Sequence, residues 1–146
     1  MSPNKFQAYQ ETRLITAAPG TLARIALEES LKATRCAIKE LNSGNAVQRS
    51  RAITRAMNLL TEFVAMLNDR AAPEVCVNLR RVCDYAQRRL MEAHSKRSEP
   101  MMTEVIRLLQ PIAQAWATVE RRSAAVPVEA EASEAEENFP KSRRLV

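Results

Sequence analysis

The chain carries one histidine and three cysteines, so few of its side chains could serve as general base, nucleophile or soft metal ligand. A Ser-His-Asp or Cys-His arrangement could use His94 alone, and a zinc site would have to be built mainly from thiolates. Cys36, Cys76 and Cys83 form no Cys-x-x-Cys pair. Cys76 and Cys83 lie roughly 10 Å apart along a helix, too far to bridge. An odd, scattered set of this kind reads as reduced thiols in a core or groove. A di-iron site between helices needs Glu-x-x-His pairs, but Met91 stands three residues before His94 and Glu92 only two. His94 falls near a predicted helix C-terminus, where its cation would be favourable. The acids best placed on helices are Glu28, Glu29, Glu62, Asp84 and Glu104. None is paired at a spacing that asks for acid–base work, so salt bridges are the expected role. No catalytic residue, cofactor site or metal site is assigned. Two glycines, Gly20 and Gly44, leave no material for a glycine-rich phosphate loop or a turn-dense β fold.

Arginines are the most abundant polar feature. Arg80, Arg81, Arg88 and Arg89 sit close together. Such a ladder can meet phosphate, or it can be a solvated face laced with pairs to Asp84 and Glu92. The net charge is +5. Residues 1–122 hold 19 basic and 12 acidic side chains, whereas residues 123–146 hold three basic and five acidic ones. Aromatic residues are 4% of the chain, too few for rows of base-stacking platforms.

These side chains need elements to position them, and the apolar spacing supplies helices. Hydrophobic residues make up 46% and charged residues 27%, an ordinary balance for a globular domain. The first helix is predicted from about Pro19 to Asn42, capped by Thr16 or Thr21 and stopped at Gly44. A second is predicted from about Ala46 to Asn68, with Ile53, Ala56, Met57, Leu60, Phe63, Val64 and Leu67 at the three/four repeat. Pro73 opens a third, to about Lys96, striped by Val75, Leu79, Val82, Ala86, Leu90 and Ala93. Ser98 caps a fourth, which carries Met101, Val105, Leu108, Leu109, Ile112, Trp116 and Val119; a kink is expected at its internal Pro111. Short connections favour antiparallel neighbours. The expected fold is therefore all-α, an antiparallel up-down four-helix bundle over 19–122. Residues 1–18 form an N-terminal segment capping it, and 123–146 a disordered tail, acidic then basic. No stretch approaches the length of a membrane span and no signal peptide is apparent, so a cytoplasmic protein is expected.

Four stretches, in this order and spacing, resemble the flagellin export chaperones of the FliS type over roughly residues 6–119. Phe6-Gln7-Ala8-Tyr9 is similar to the family's N-terminal segment. Thr16-Ala17-Ala18-Pro19-Gly20-Thr21-Leu22 is similar to its Thr-Ala-Ser-Pro-x-x-Leu approach to the first helix. Asn78-Leu79, with Asp84-Tyr85-Ala86-Gln87-Arg88-Arg89-Leu90-Met91-Glu92-Ala93, resembles Asn-Leu…Asp-Tyr-x-x-Arg-Arg-Leu-x-x-Ala. Val105-Ile106-Arg107-Leu108-Leu109 and Ala115-Trp116 resemble its last helix. The chain departs where the family shows a Leu-Tyr-Asp-Gly-like run, here Ala26-Leu27-Glu28-Glu29. It also has Cys83 for the aromatic before Asp-Tyr and His94 for a frequent Asn.

The resemblance implies binding without chemistry. A cytoplasmic chaperone of this type would cover the C-terminal segment of flagellin, prevent premature polymerisation and keep it competent for the flagellar type III export apparatus. The partner-binding residues it implies are Tyr9, Leu14, Leu22, Asn78, Val82, Tyr85 and Arg89. Tyr9 would be a groove or gate residue, whereas plain packing for Tyr85 and a register-fixing hydrogen bond for Asn78 stand as alternatives. Nucleic acid is not an expected partner and a homodimer is left open. The rival readings are a basic helical adaptor binding nucleic acid or another protein, a cysteine-nucleophile enzyme, and a bundle without a dedicated client.

Overall fold

The structure is a computed structural model and describes residues 17–18 and 20–125. Among them are four helices: α1 (Thr21–Ser43), α2 (Ala46–Ala65), α3 (Pro73–Lys96) and α4 (Glu99–Ala125). Each packs against its neighbours in the cyclic order α1–α2–α3–α4–α1, and the two diagonal pairs make no backbone approach. Cross-links between helices give the directions. Ser30 Oγ donates to Ala56 O at 3.2 Å. Gln87 Nε2 donates to Met57 O at 2.9 Å and to Thr61 Oγ1 at 2.8 Å, and Arg24 Nε reaches Glu120. Neighbours run antiparallel, so the expected up-down bundle is the observed one.

Helix ends follow local chemistry. Gly44 adopts φ 77 after α1, and its N–H and that of Asn45 close the last turn on Leu41 O and Glu40 O. Asn45 Oδ1 then accepts from Gln48 N at 3.1 Å, capping α2. Pro73 sits at the start of α3, where its missing N–H costs nothing. Ser98 Oγ accepts from Met101 N at 3.3 Å at the start of α4.

Three boundaries differ from the apolar pattern. Gly20, with φ 105, holds the capping position of α1 and no side chain caps the turn, so Thr21 is a helical residue and not a cap. α2 stops at Ala65, and Leu67 keeps the apolar spacing but packs from the turn, 9% exposed. α4 runs on to Ala125, beyond the expected boundary at 122, and is unbroken through Pro111. That proline lies on the exposed side, beside exposed Arg107, whose carbonyl loses its donor where water can replace it.

The core is a single cluster. Small side chains line the α1–α2 seam: Ala26, Ser30, Ala33 and Ala37 face Ala52 and Ala56, all buried. Their size lets the two backbones approach closely enough for the Ser30–Ala56 hydrogen bond. Large side chains fill the middle, where Phe63 of α2 meets Trp116 of α4 edge-on across the bundle, ring centroids 5.5 Å apart at 81°. At the end where α1 begins, Ala17 and Ala18 are fully buried and Ala17 O accepts from Asn68 N at 2.6 Å. Tyr9, Leu14 and the rest of 1–16, with residues 126–146, lie outside the described residues.

Candidate partner-binding site

Helix α3 places four of the named residues on one face. Asn78, Val82, Tyr85 and Arg89 recur at the three/four spacing that stacks side chains along one stripe. Asn78 is exposed, Val82 and Arg89 are half-buried, and Tyr85 is 40% exposed. Glu104 meets the stripe from α4. The Tyr85 hydroxyl donates to Glu104 Oε1. Arg89 Nε donates to Glu104 Oε2 at 3.0 Å and its Nη1 to Glu92 Oε2 at 3.0 Å. Lys96 Nζ closes the cluster on Glu92 at 2.7 Å.

These contacts shift the titrations of the groups they join. The Tyr85 hydroxyl first, then Arg89, holds the Glu104 carboxyl below the usual carboxylate range. The same contact with Glu104, with burial second, raises the Tyr85 phenol. Lys96 first and Arg89 second lower Glu92. At neutral pH the cluster holds two carboxylates, two cations and one neutral phenol, each engaged with another. It locks the Tyr85 hydroxyl against α4 while leaving much of the ring surface open, an arrangement suited to apolar contact.

Other apolar side chains are exposed elsewhere on the molecule. Val77 is 46% exposed and, with Pro73, Glu74 and Asn78, lines a surface depression. Met91 is 60% exposed. Leu22, 68% exposed in the first turn of α1 with Ile25 one turn on, lies on the helix diagonally across from α3. The structure therefore gathers Asn78, Val82, Tyr85 and Arg89 and leaves Leu22 apart. Tyr9 and Leu14 fall outside the described residues.

Glu104 was legible only as a semi-buried acid; its role as hub depends on which helix faces α3. Of the other reactive side chains, Cys36 is exposed, and most of the rest are buried or paired. His94, in the last turn of α3, is met by Arg49 of α2, whose Nε donates to its Nδ1 at 3.2 Å. Burial pushes the Cys83 thiol up to about 12 and also raises Cys76, so neither is poised as a nucleophile. Much of the arginine ladder is paired: Arg80 with Asp69 at 2.8 Å, Arg88 with Asp84 at 3.0 Å, and Arg89 as above. Among the described residues no group of three or more His, Cys, Asp or Glu side chains could hold a metal ion. No helix among them is long and apolar enough to cross a membrane.

The chain is similar to known proteins over most of its length. The family model described as flagellar protein FliS matches residues 2–123. The flagellar secretion chaperone FliS of Bacillus subtilis is 27% identical over 113 residues, 77% of this chain and 84% of that protein. The flagellar secretion chaperone FliS of Salmonella typhimurium is 29% identical over 111 residues, 75% of this chain and 82% of that protein.

Proposed function

This chain belongs to the FliS family of flagellar proteins, and on that premise we propose that it is a flagellar secretion chaperone whose client is flagellin. The family match over residues 2–123, which takes in nearly all of the described bundle, carries the reading. The bundle covers the client's C-terminal segment in the cytoplasm, prevents its polymerisation and hands it to the export apparatus, with no catalytic step.

The exposed face of α3 supports this reading physically. A client segment that orders on binding loses conformational entropy, and apolar contact over a long surface offsets it. Val77, Tyr85 and Met91 offer such contact along α3, and Asn78 adds a polar group. Tyr9 and Leu14 join the site from the N-terminal segment, and Leu22 marks a second contact point on α1.

Titration calorimetry with a peptide of the flagellin C-terminal segment tests the proposal. One peptide should bind one chain. Tyr85→Ala should weaken binding about tenfold, equivalent to about 1.4 kcal/mol, with the circular dichroism spectrum retained. Tyr9→Ala should also weaken binding without loss of the fold. Absence of binding by the unaltered protein removes the function; unchanged affinity in both variants removes only the site.

A further inference from the structure

Hydrogen bonds cross-link three of the four seams: Ser30 to Ala56 (α1–α2), Gln87 and Arg49–His94 (α2–α3), and the Glu104 cluster (α3–α4). The α1–α4 seam is cross-linked at its lower end, where Arg24 holds Glu28 and Glu120. Above that point it opens into a groove of about 240 Å³, floored by Leu31, Ala113 and Ala117 and edged by Arg35 and Gln110. Its lining carboxylate, Glu28, is taken by Arg24 at 2.9 Å.

The rims are basic. Lys32, Arg35 and Lys39 repeat at three and four along the exposed side of α1, and Arg107 stands one turn from Gln110 on α4. Arg35, Lys39, Arg107 and Arg121 make no ion pair among the described residues, unlike Arg80, Arg88 and Arg89 of α3. Lys32 shares Glu29 with Arg55 and remains 70% exposed. The groove thus has an apolar floor of one leucine and two alanines, with unpaired cations along its edges.

The chain itself carries a matching segment. Residues 129–137 read Glu-Ala-Glu-Ala-Ser-Glu-Ala-Glu-Glu, five carboxylates interspersed with small side chains. They follow α4, whose last residue, Ala125, is at the end where the groove begins. Arg35 lies about 16 Å up the bundle from the Arg24–Glu120 pair at 1.5 Å per residue. Residues 129–137 span about 30 Å when extended, so a chain turning back after Ala125 reaches every cation of the groove.

We propose that the Glu-rich stretch 129–137 lies back along the α1–α4 groove as a reversible electrostatic cover. Opposite charges at a solvated surface attract over about 10 Å at 0.1 M salt and less at higher salt. The contact needs no apolar periodicity in the segment, and it is weak enough for an acidic segment of another protein to displace it.

Cys36 provides the probe, being the exposed cysteine beside Arg35 while Cys76 and Cys83 are buried. A nitroxide on Cys36 of the full chain should reduce the amide NMR signals of residues 129–137 at least about twofold near 0.03 M salt, and about 0.5 M salt should restore them by screening. The loss should vanish in the variant carrying Glu129→Gln, Glu131→Gln, Glu134→Gln, Glu136→Gln and Glu137→Gln. Undiminished signals at low salt, or equal loss in the glutamine variant, overturn the proposal. So does signal loss confined to mixtures of nitroxide-bearing and separate isotope-labelled chains, which would make a second copy the occupant.

Discussion

Trp116 is fully buried against Phe63, yet its Nε1–H has no acceptor among the described residues. The ring therefore contributes volume and burial without a compensating hydrogen bond. Trp116→Ala should destabilise the bundle by about 3–5 kcal/mol. Trp116→Phe keeps most of the apolar contact and removes the unpaired donor, so it should cost less than about 1.5 kcal/mol. Chemical denaturation of the three proteins checks the order, and equal losses would place the value of the residue in its N–H. Glu104 supports a prediction of opposite chemistry. Its carboxyl is lowered in the folded protein by Tyr85 and Arg89. The native state therefore binds fewer protons, and the stabilisation is present above the ordinary carboxylate range, near pH 4. It is lost as pH falls through the lower folded value. Glu104→Gln should flatten this acid limb in melting curves taken from pH 6 downward, and an unchanged limb would show that the cluster contributes nothing. The sequence identified Tyr85 and Arg89 but not their partner, because the pairing depends on the lateral order of helices, which local spacing does not encode.

The two hairpins at one end of the bundle solve the same backbone problem differently. α1 ends on Gly44 with φ 77, and α3 ends on Arg97 with φ 51. A Cβ at Gly44 would meet nothing within 4 Å, so Gly44→Ala tests backbone strain alone and should cost about 1 kcal/mol. Arg97→Gly should act in the other direction, raising stability by about 0.5–1 kcal/mol. Thermal melts of the pair check both signs, and a loss of stability in the Arg97 variant would show that its side chain outweighs the strain. Helix boundaries were legible where such residues punctuate them: Gly44, Pro73 and Ser98 mark ends found in the structure. They were misplaced where apolar spacing and helix part company. Leu67 continues the stripe after α2 has ended, because a turn residue can also point at the core. Ser123-Ala124-Ala125 extend α4 after the stripe has stopped, because alanine has the highest helix propensity.

At the scale of the molecule, the up-down order was readable from four amphipathic stretches and their short connections, while the basic α1–α4 groove was not. The cations of α1 and those of α4 lie far apart in sequence and come together only once α4 returns beside α1. The same return has a kinetic consequence. α1–α2, α2–α3 and α3–α4 join helices consecutive along the chain, whereas α1–α4 joins its two ends. Loop closure is equally cheap for the two-residue α1–α2 and α3–α4 turns, but the small side chains of the α1–α2 seam let contact form there without repacking large ones. This hairpin should be the folding nucleus, with the α1–α4 seam forming last and opening first. Ala56→Gly should then slow refolding in stopped-flow traces, whereas Ala113→Gly should chiefly speed unfolding. The reverse assignment would place the nucleus at the chain ends. A late-forming seam also sets a local clock: segments bordering α1 and α4 exchange between open and closed forms faster than the bundle as a whole unfolds.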